Sequence, residues 1–304
     1  MRVAVTGASG FVGSALAHAL CAEGHDVTAV TRHPERYHGA GRPAGADIRD
    51  RDAIESVLAG HDAAYFLVHS LTDVDFAAED RTAAHAFASA ATRAGVGQVV
   101  YLGGLGDDDD DLSEHLRSRR EVESILLHDA PTTALRAGIV IGDGGISWEI
   151  LRQLVERLPA MVTPRWVETR SQPIALVDAV SYLAGVLGCE EAVGNTYEIG
   201  GPDVLSYRDM MATVAEIMGR RRIILPVPLL SPRLSSHWLR LVTDVDLPTA
   251  RALVDSMTNE VIVHDHGIDT LLPHEPLSFA AAAVQALAAR AQRRRVLGTL
   301  TVGR

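Results

Sequence analysis

Apolar residues fall into two rhythms along the first half of this chain. Short, nearly unbroken runs occur at Val3-Ala4-Val5, around Val27, Ala29 and Val30, over 63–69, over 98–102 and over 133–141. Runs of this kind read as strands buried on both faces. Between them lie stretches with a three-to-four residue repeat. Phe11, Leu16, Ala19 and Leu20 share one face over 11–22, an alanine-rich segment covers 76–94, and Leu112, Leu116, Val122 and Leu126 share a face over 112–128. Strictly alternating strand and helix predicts an α/β fold: a doubly wound parallel sheet of Rossmann type with right-handed crossovers. The second strand is expected over Asp26 to Arg32, and a short third strand just before Ala46-Asp47-Ile48.

Beyond Gly144 the alternation weakens. The pattern predicts a helix over 147–158, a short strand running into a helix over 173–180, and a strand over 196–200. Ser206 suits the N-cap of a helix running to Gly219, with Asp209 supporting its amino end. A last helix over 278–295 turns basic at Arg290, Arg293, Arg294 and Arg295, and the final residues are expected to be loose. No internal repeat or linker separates independent parts. The expected division is a dinucleotide-binding core over 1–145 and a C-terminal part over 146–304. Within that part, 173–200 returns to the core and 205–290 forms a small α+β substrate lobe and lid. Residues 224–262 mix prolines with large apolar side chains. That suits a pocket cover, or an apolar surface for a partner or for peripheral membrane contact through 224–245.

The chemistry begins in the first turn. Gly7, Gly10 and Gly13 follow the first strand and open the first helix. Such a turn lets Gly7, Ser9 and Gly10 approach a pyrophosphate while Gly13 lets the helix lie close to the sheet. The amides of Phe11, Val12 and Gly13, with the helix dipole, favour the anion. At the end of the second strand stand Thr31 and Arg32, with Arg36 beyond and no carboxylate. Arginine there accommodates a 2′-phosphate, so NADP(H) is favoured over NAD(H). Asp47 and Ile48 are placed for the adenine, although a lone Asp at a strand end also serves as a helix cap. Val68, His69 and Ser70 end the fourth strand beside the expected crevice, where His69 is either a site residue or a hydrogen-bonded loop histidine.

Composition narrows the partners. The chain has 304 residues, 47% hydrophobic and 22% charged, with a formal net charge of −11. That acidity argues against nucleic acid. Cys21 and Cys189 make no disulfide framework and suit a reducing compartment. The first strand starts at residue 2, leaving no room for a signal peptide, and no long uncharged apolar run predicts a membrane span. The expectation is a cytoplasmic protein whose partner, if any, is a small-molecule substrate, with no metal. Asp107 to Asp111 repel one another and read as a solvated loop.

These pieces resemble the short-chain dehydrogenase/reductase superfamily, in its atypical extended branch of NmrA-like proteins, NDUFA9-like accessory subunits of respiratory complex I and YbjT-like NAD(P)-binding proteins. The likeness rests on Thr6-Gly-Ala-Ser-Gly-Phe-Val-Gly13, Tyr101-Leu-Gly-Gly-Leu105, Leu112-Ser-Glu-His-Leu-Arg-Ser-Arg119, Arg136-Ala-Gly138 and Pro173-Ile-Ala-Leu-Val-Asp178. It continues through Leu229 to Trp238 and Leu272 to Pro276. The resemblance implies cofactor contacts at Leu102, Gly103, Arg119, Ala137 and Gly138 as well. Active members carry a Tyr-x-x-x-Lys pair and a serine or threonine. Here His115 takes the tyrosine position, Arg119 the lysine position, and Gly103-Gly104 the serine position. Three readings stay open for His115 and Arg119: cofactor binding with carbonyl chemistry lost, His115 as a substitute acid/base, or a solvated helix face with Arg119 pairing Glu123. The function implied is an NADP(H)-binding oxidoreductase-like protein passing hydride to a small organic or quinone-like acceptor. The alternative is an inactive dinucleotide-binding sensor or assembly subunit.

Overall fold

The apolar runs become strands. In the computed structural model, which describes residues 1–69, 75–107, 111–226, 243–244 and 247–302, six strands lead the chain. They are β1 (Arg2–Thr6), β2 (Asp26–Thr31), β3 (Arg42–Gly45), β4 (Ala63–Phe66), β5 (Gln98–Gly104) and β6 (Thr132–Ala137). Helices α1 (Phe11–Ala22), α2 (Arg51–Leu58), α3 (Phe76–Ala94) and α4 (Glu114–Asp129) join most of them. With the strand Thr196–Ile199 they make a 7-stranded sheet in the order Thr196–Ile199, β6, β5, β4, β1, β2, β3. Every neighbouring pair is parallel. This is the Rossmann arrangement that the alternation predicts. The order reverses between β1 and β4, and ligands of open parallel sheets bind at that switch point, beyond the carboxyl ends of the strands.

The chain divides into two compact units. One comprises Met1–Ala137, Val177–Ile199 and Val263–His274, the other Gly138–Leu176, Gly200–Ile262 and Glu275–Arg304. In the first, Val3, Ala4, Val5, Ala63, Ala64 and Tyr65 are completely buried, as central strands of a covered sheet must be. On one face α2, α3 and α4 contribute Ile54, Leu58, Phe87, Ala88 and Leu126 to a core shared with Ala4, Phe66 and Tyr101. The alanine-rich face of α3 allows close helix packing. On the central strand the Tyr65 hydroxyl donates to the Leu183 carbonyl of the helix Leu176–Gly185 at 2.8 Å, which satisfies a fully buried phenol.

The second unit packs around Trp148, Leu151, Met210, Met211, Val254 and Ala283, drawn from the helices Ile146–Arg157, Tyr207–Ile217, Leu247–Ser256 and Phe279–Val302. Ser206 caps Tyr207–Ile217 in a reciprocal capping box with Asp209, as its sequence predicts. Arg152 is 2% exposed, and its charge is met by Glu149 at 2.7 Å and by Glu156. Two expectations are corrected here. The run 133–141 is not one strand. The sheet strand ends at Ala137, and Val140–Ile141 instead pairs in parallel with Ile174–Ala175, so the backbone groups of the continuing apolar run are bonded outside the main sheet. The last helix continues past Arg295 to Val302. Of the proline-rich cover expected over 224–262, residues 227–242, 245 and 246 lie outside the described residues, as do Ser70 and 108–110 of the aspartate run. Among the described residues no helix is long and apolar enough to cross a membrane.

One contact sets how closely α1 lies on the sheet. A Cβ at Gly13 would stand 2.2 Å from the Gly7 carbonyl oxygen, so no side chain fits. Gly13→Ala is expected to cost about 1–3 kcal/mol, the usual range for overpacking, read as a lowered urea midpoint. An unchanged midpoint would show that α1 is free to move away.

Candidate functional site

A cleft of about 350 Å³ opens at the switch point, lined by Thr6, Gly7, Ser9 and Gly10 after β1, by Thr31 and Arg32 after β2, and by Val68 and His69 after β4. Gly7 turns the chain with φ of 70°, and a Cβ there would meet the Leu67 carbonyl oxygen at 2.6 Å. The Gly10 amide closes the turn on the Gly7 carbonyl at 2.8 Å. The starts of α2 and α4 are capped by side chains, Asp50 accepting from Ala53 N and Ser113 from Leu116 N, whereas that of α3 is not. Helix α1 has no capping side chain. Its first amides, those of Phe11, Val12 and Gly13, are left to an external acceptor. This donor set fits a dinucleotide pyrophosphate.

The edge of the cleft beyond β2 carries the charge. Asp47, Ile48 and Arg49 line it with Arg32. Asp47 accepts from the Arg49 amide at 3.0 Å and from its guanidinium at 3.1 and 2.8 Å. These bonds hold the Asp47 carboxyl down to about 2, so it is ionised and committed to Arg49. Asp47 is therefore not the cap of α2; Asp50 is. Arg32 lies exposed in the lining and has no salt bridge among the described residues. Arg36 lies on the turn Pro34–Arg36, 78% exposed beside Glu35 at 3.6 Å, and does not line the cleft. Sequence reasoning passed over Arg49, whose signal was a cation two residues beyond the strand-end Asp47.

At the inner end the sequence-predicted residues are only partly brought together. His69 lines the cleft. The His115 ring lies 4.8 Å from the His69 ring, centroid to centroid. Arg119 donates to the Leu102 carbonyl, and its guanidinium sits 5.8 Å over the Tyr101 ring. That contradicts the solvated-face reading. Glu123 pairs with Arg136 at 2.6 Å and with Arg120 at 3.6 Å, and not with Arg119. Burial pushes His115 well below the ordinary imidazole value, and His69 and Arg119 push it the same way. His69 is lowered too, chiefly by burial, although its bond to Asp80 opposes the shift. Ala137 ends β6 and accepts from the Leu105 amide at 3.0 Å, while Gly138 belongs to the second unit.

Gly103, one of the two glycines that the resemblance sets at the serine position, has side chains packed close against it. A Cβ there would stand 3.1 Å from Glu123 Oε2 and 3.1 Å from the Tyr101 ring. Glu123 is 4% exposed, and the Arg136 guanidinium grips it through Nε and a terminal nitrogen. This buried ion pair takes the space that a serine side chain would need.

The parallel sheet and the cleft at its switch point make a Rossmann-like α/β fold. Residues 7–154 match the family model described as NAD(P)H-binding. An uncharacterized protein of Mycobacterium tuberculosis is 28% identical over 84% of this chain, which spans only 28% of that protein's length. The (4-alkanoyl-5-oxo-2,5-dihydrofuran-3-yl)methyl phosphate reductase of Streptomyces griseus is 29% identical over 72% of this chain and 74% of its own. Subunit 9 of the NADH dehydrogenase [ubiquinone] 1 alpha subcomplex of Arabidopsis thaliana mitochondria is 24% identical over 89% of this chain and 74% of its own. Two solved structures share the fold. Triphenylmethane reductase of Citrobacter has a TM-score of 0.77 at 19% identity, covering 95% of this chain and 100% of that one. The NADPH-dependent quinone oxidoreductase QOR2 of Escherichia coli, solved with NADPH, has 0.75 at 19%, covering 93% and 99%.

The lowered imidazoles have a consequence for stability. A histidine held below 6.5 in the folded chain binds its proton more readily once unfolded. Stability from this source is therefore present above about pH 6.5 and is lost as pH falls through the folded values. The melting temperature is expected to drop between pH 7 and pH 5, and less steeply in His115→Gln, as read by thermal unfolding across that range. Equal slopes in both proteins would remove His115 as a cause.

Proposed function

We propose that this chain is an NADP(H)-dependent oxidoreductase of atypical short-chain dehydrogenase/reductase type, passing hydride to a small organic or quinone-like acceptor. The observation that carries the reading is the cleft itself. It runs from a cationic edge, past an uncapped helix start, to a histidine. Gly7, Ser9 and Gly10, with the amides of Phe11, Val12 and Gly13, would hold the pyrophosphate. Ile48 would flank the adenine. Arg32 would meet a 2′-phosphate, since the nearest carboxylate, Asp47, is already taken by Arg49 and is not free for a ribose hydroxyl. Val68, His69, Leu102 and Arg119 would face the nicotinamide end, where the reduced ring supplies a hydride when bound. The named reductases among the relatives support the same reading. Unpaired Cys21 and Cys189 support a cytoplasmic setting.

A second reading has its own observation in favour. The Glu123–Arg136 pair fills the serine position, and the usual tyrosine and lysine are replaced, so a non-catalytic dinucleotide-binding accessory subunit is the alternative. The relative from a mitochondrial NADH dehydrogenase supports it.

Cofactor fluorescence and single-turnover oxidation separate the readings. The leading one expects saturable NADPH binding and loss of the reduced-nicotinamide absorbance with at least one of a panel of quinones, aldehydes and enones. Tight binding with no oxidation by any of them supports the accessory subunit; no binding at millimolar NADPH rejects both. Arg32→Ala is expected to weaken NADPH by about 1–3 kcal/mol while sparing NADH, as for loss of a charge-assisted contact. Equal weakening of both nucleotides would show that Arg32 does not read the phosphate.

A further inference from the structure

Two imidazoles lie close together, His69 in the lining of the cleft and His115 beside it on α4, and each keeps a buried ring nitrogen without a partner. These are His69 Nε2 and His115 Nδ1. The rings are tilted by 42° at 4.8 Å, and Phe76 lies 6.4 Å from His115 on its other side. Buried polar atoms in folded proteins are nearly always bonded, so two bare nitrogens side by side point to an absent ligand. The rest of His69 is tightly held. Its Nδ1 lies 2.9 Å from Asp80 Oδ2, and Asp80 is 4% exposed on α3. Ser118 Oγ, also buried, reaches the same carboxylate oxygen at 3.5 Å from α4. A carboxylate only accepts, so Nδ1 carries the hydrogen and Nε2 keeps its lone pair. The result is a base of fixed tautomer, oriented by a buried carboxylate, on the wall of the cofactor cleft.

We propose that His69, oriented by Asp80, exchanges the proton with the substrate oxygen, while His115 stays neutral and hydrogen-bonds that oxygen. This rests on the NADP(H) oxidoreductase reading above. In the oxidative direction the substrate O–H bond breaks and its proton passes to Nε2. The O–H electron pair becomes the second bond of the carbonyl as the C–H pair leaves as hydride to the oxidised nicotinamide. Reduction reverses each step, with water restoring the proton to His69. Asp80 is the positioning residue, and its charge stabilises the imidazolium that forms. His115 has no such partner. The groups facing it are His69 and the Arg119 cation, and both oppose a second positive charge. The groups facing His69 are Asp80 from α3 and His115 and Arg119 from α4, with Glu79 of α3 in the same cleft lining. Only the Asp80 carboxylate touches the His69 ring.

The test uses the full chain labelled with ¹⁵N-histidine, with His69→Gln and His115→Gln to assign the signals. At neutral pH, His69 is expected as the Nδ1–H tautomer. In Asp80→Asn that preference is expected to be lost and the His69 titration midpoint to fall by about one unit or more. An Nε2–H tautomer, or a midpoint and tautomer unmoved in Asp80→Asn, overturns the proposal without any acceptor being needed. In single-turnover oxidation of NADPH by 9,10-phenanthrenequinone, His69→Gln is expected to slow the reaction about 100-fold or more, as for loss of a general acid or base. His115→Gln is expected to slow it less than Asp80→Asn does. A larger loss in His115→Gln than in His69→Gln overturns the assignment. Failure of the wild-type chain to bind NADPH would reject the cofactor reading instead, and the tautomer result would stand apart from it.

Discussion

The site depends on a backbone approach that no side chain could survive. With 2.2 Å between the Gly7 carbonyl oxygen and where a Gly13 Cβ would be, the first helix is drawn against the turn that launches it. That closeness aims the start of α1 at the end of β1, and the absence of a capping side chain leaves its amides for an anion. The reversal of strand order between β1 and β4 then opens the sheet at the same place. Turn, dipole and crevice coincide because all three follow from β1 lying centrally in a parallel sheet.

Around this frame, each buried or half-buried carboxylate is matched to a particular partner. Asp47 is held by Arg49, Asp80 by His69 and Glu123 by Arg136. An unpaired carboxylate in such places would be costly, and each pairing also determines what remains available to a ligand. Engaging Asp47 leaves Arg32 as the open charge at the ribose end. Holding His69 Nδ1 on Asp80 leaves Nε2 buried and without a partner. Burying Glu123 against Arg136 takes the room beside Gly103. The site has thus been rebuilt around different polar groups within the same fold.

Much of the fold was legible because its signals are local. The runs at Val3–Val5 and 98–102 and the helical repeat of 11–22 each declare their element within a few residues, and strand–helix alternation leaves few topologies. The Gly7, Gly10 and Gly13 spacing and the cap at Ser206 are likewise short-range. The end of β6 was misread because Ile139, Val140 and Ile141 continue the apolar run. What takes Val140 and Ile141 out of the main sheet is their pairing with Ile174 and Ala175, 34 positions further along the chain. Arg119 was weighed against Glu123 for the same reason: spacing of four on a helix permits that pair, and only the neighbouring strand supplies Arg136 and the Leu102 carbonyl as better partners.

By itself the sequence determined the parallel sheet, the glycine-rich turn that opens the first helix and the lack of the usual Tyr-x-x-x-Lys pair, since each is written in residue types at close spacing. Tertiary structure alone decided that His69 meets Asp80 and His115, that Arg49 rather than a ligand occupies Asp47, and that Glu123 closes the space beside Gly103. Those pairings join side chains from separate elements, or choose among several local partners. Hydrogen-bond geometry and burial select them, and neither exists until the chain has folded.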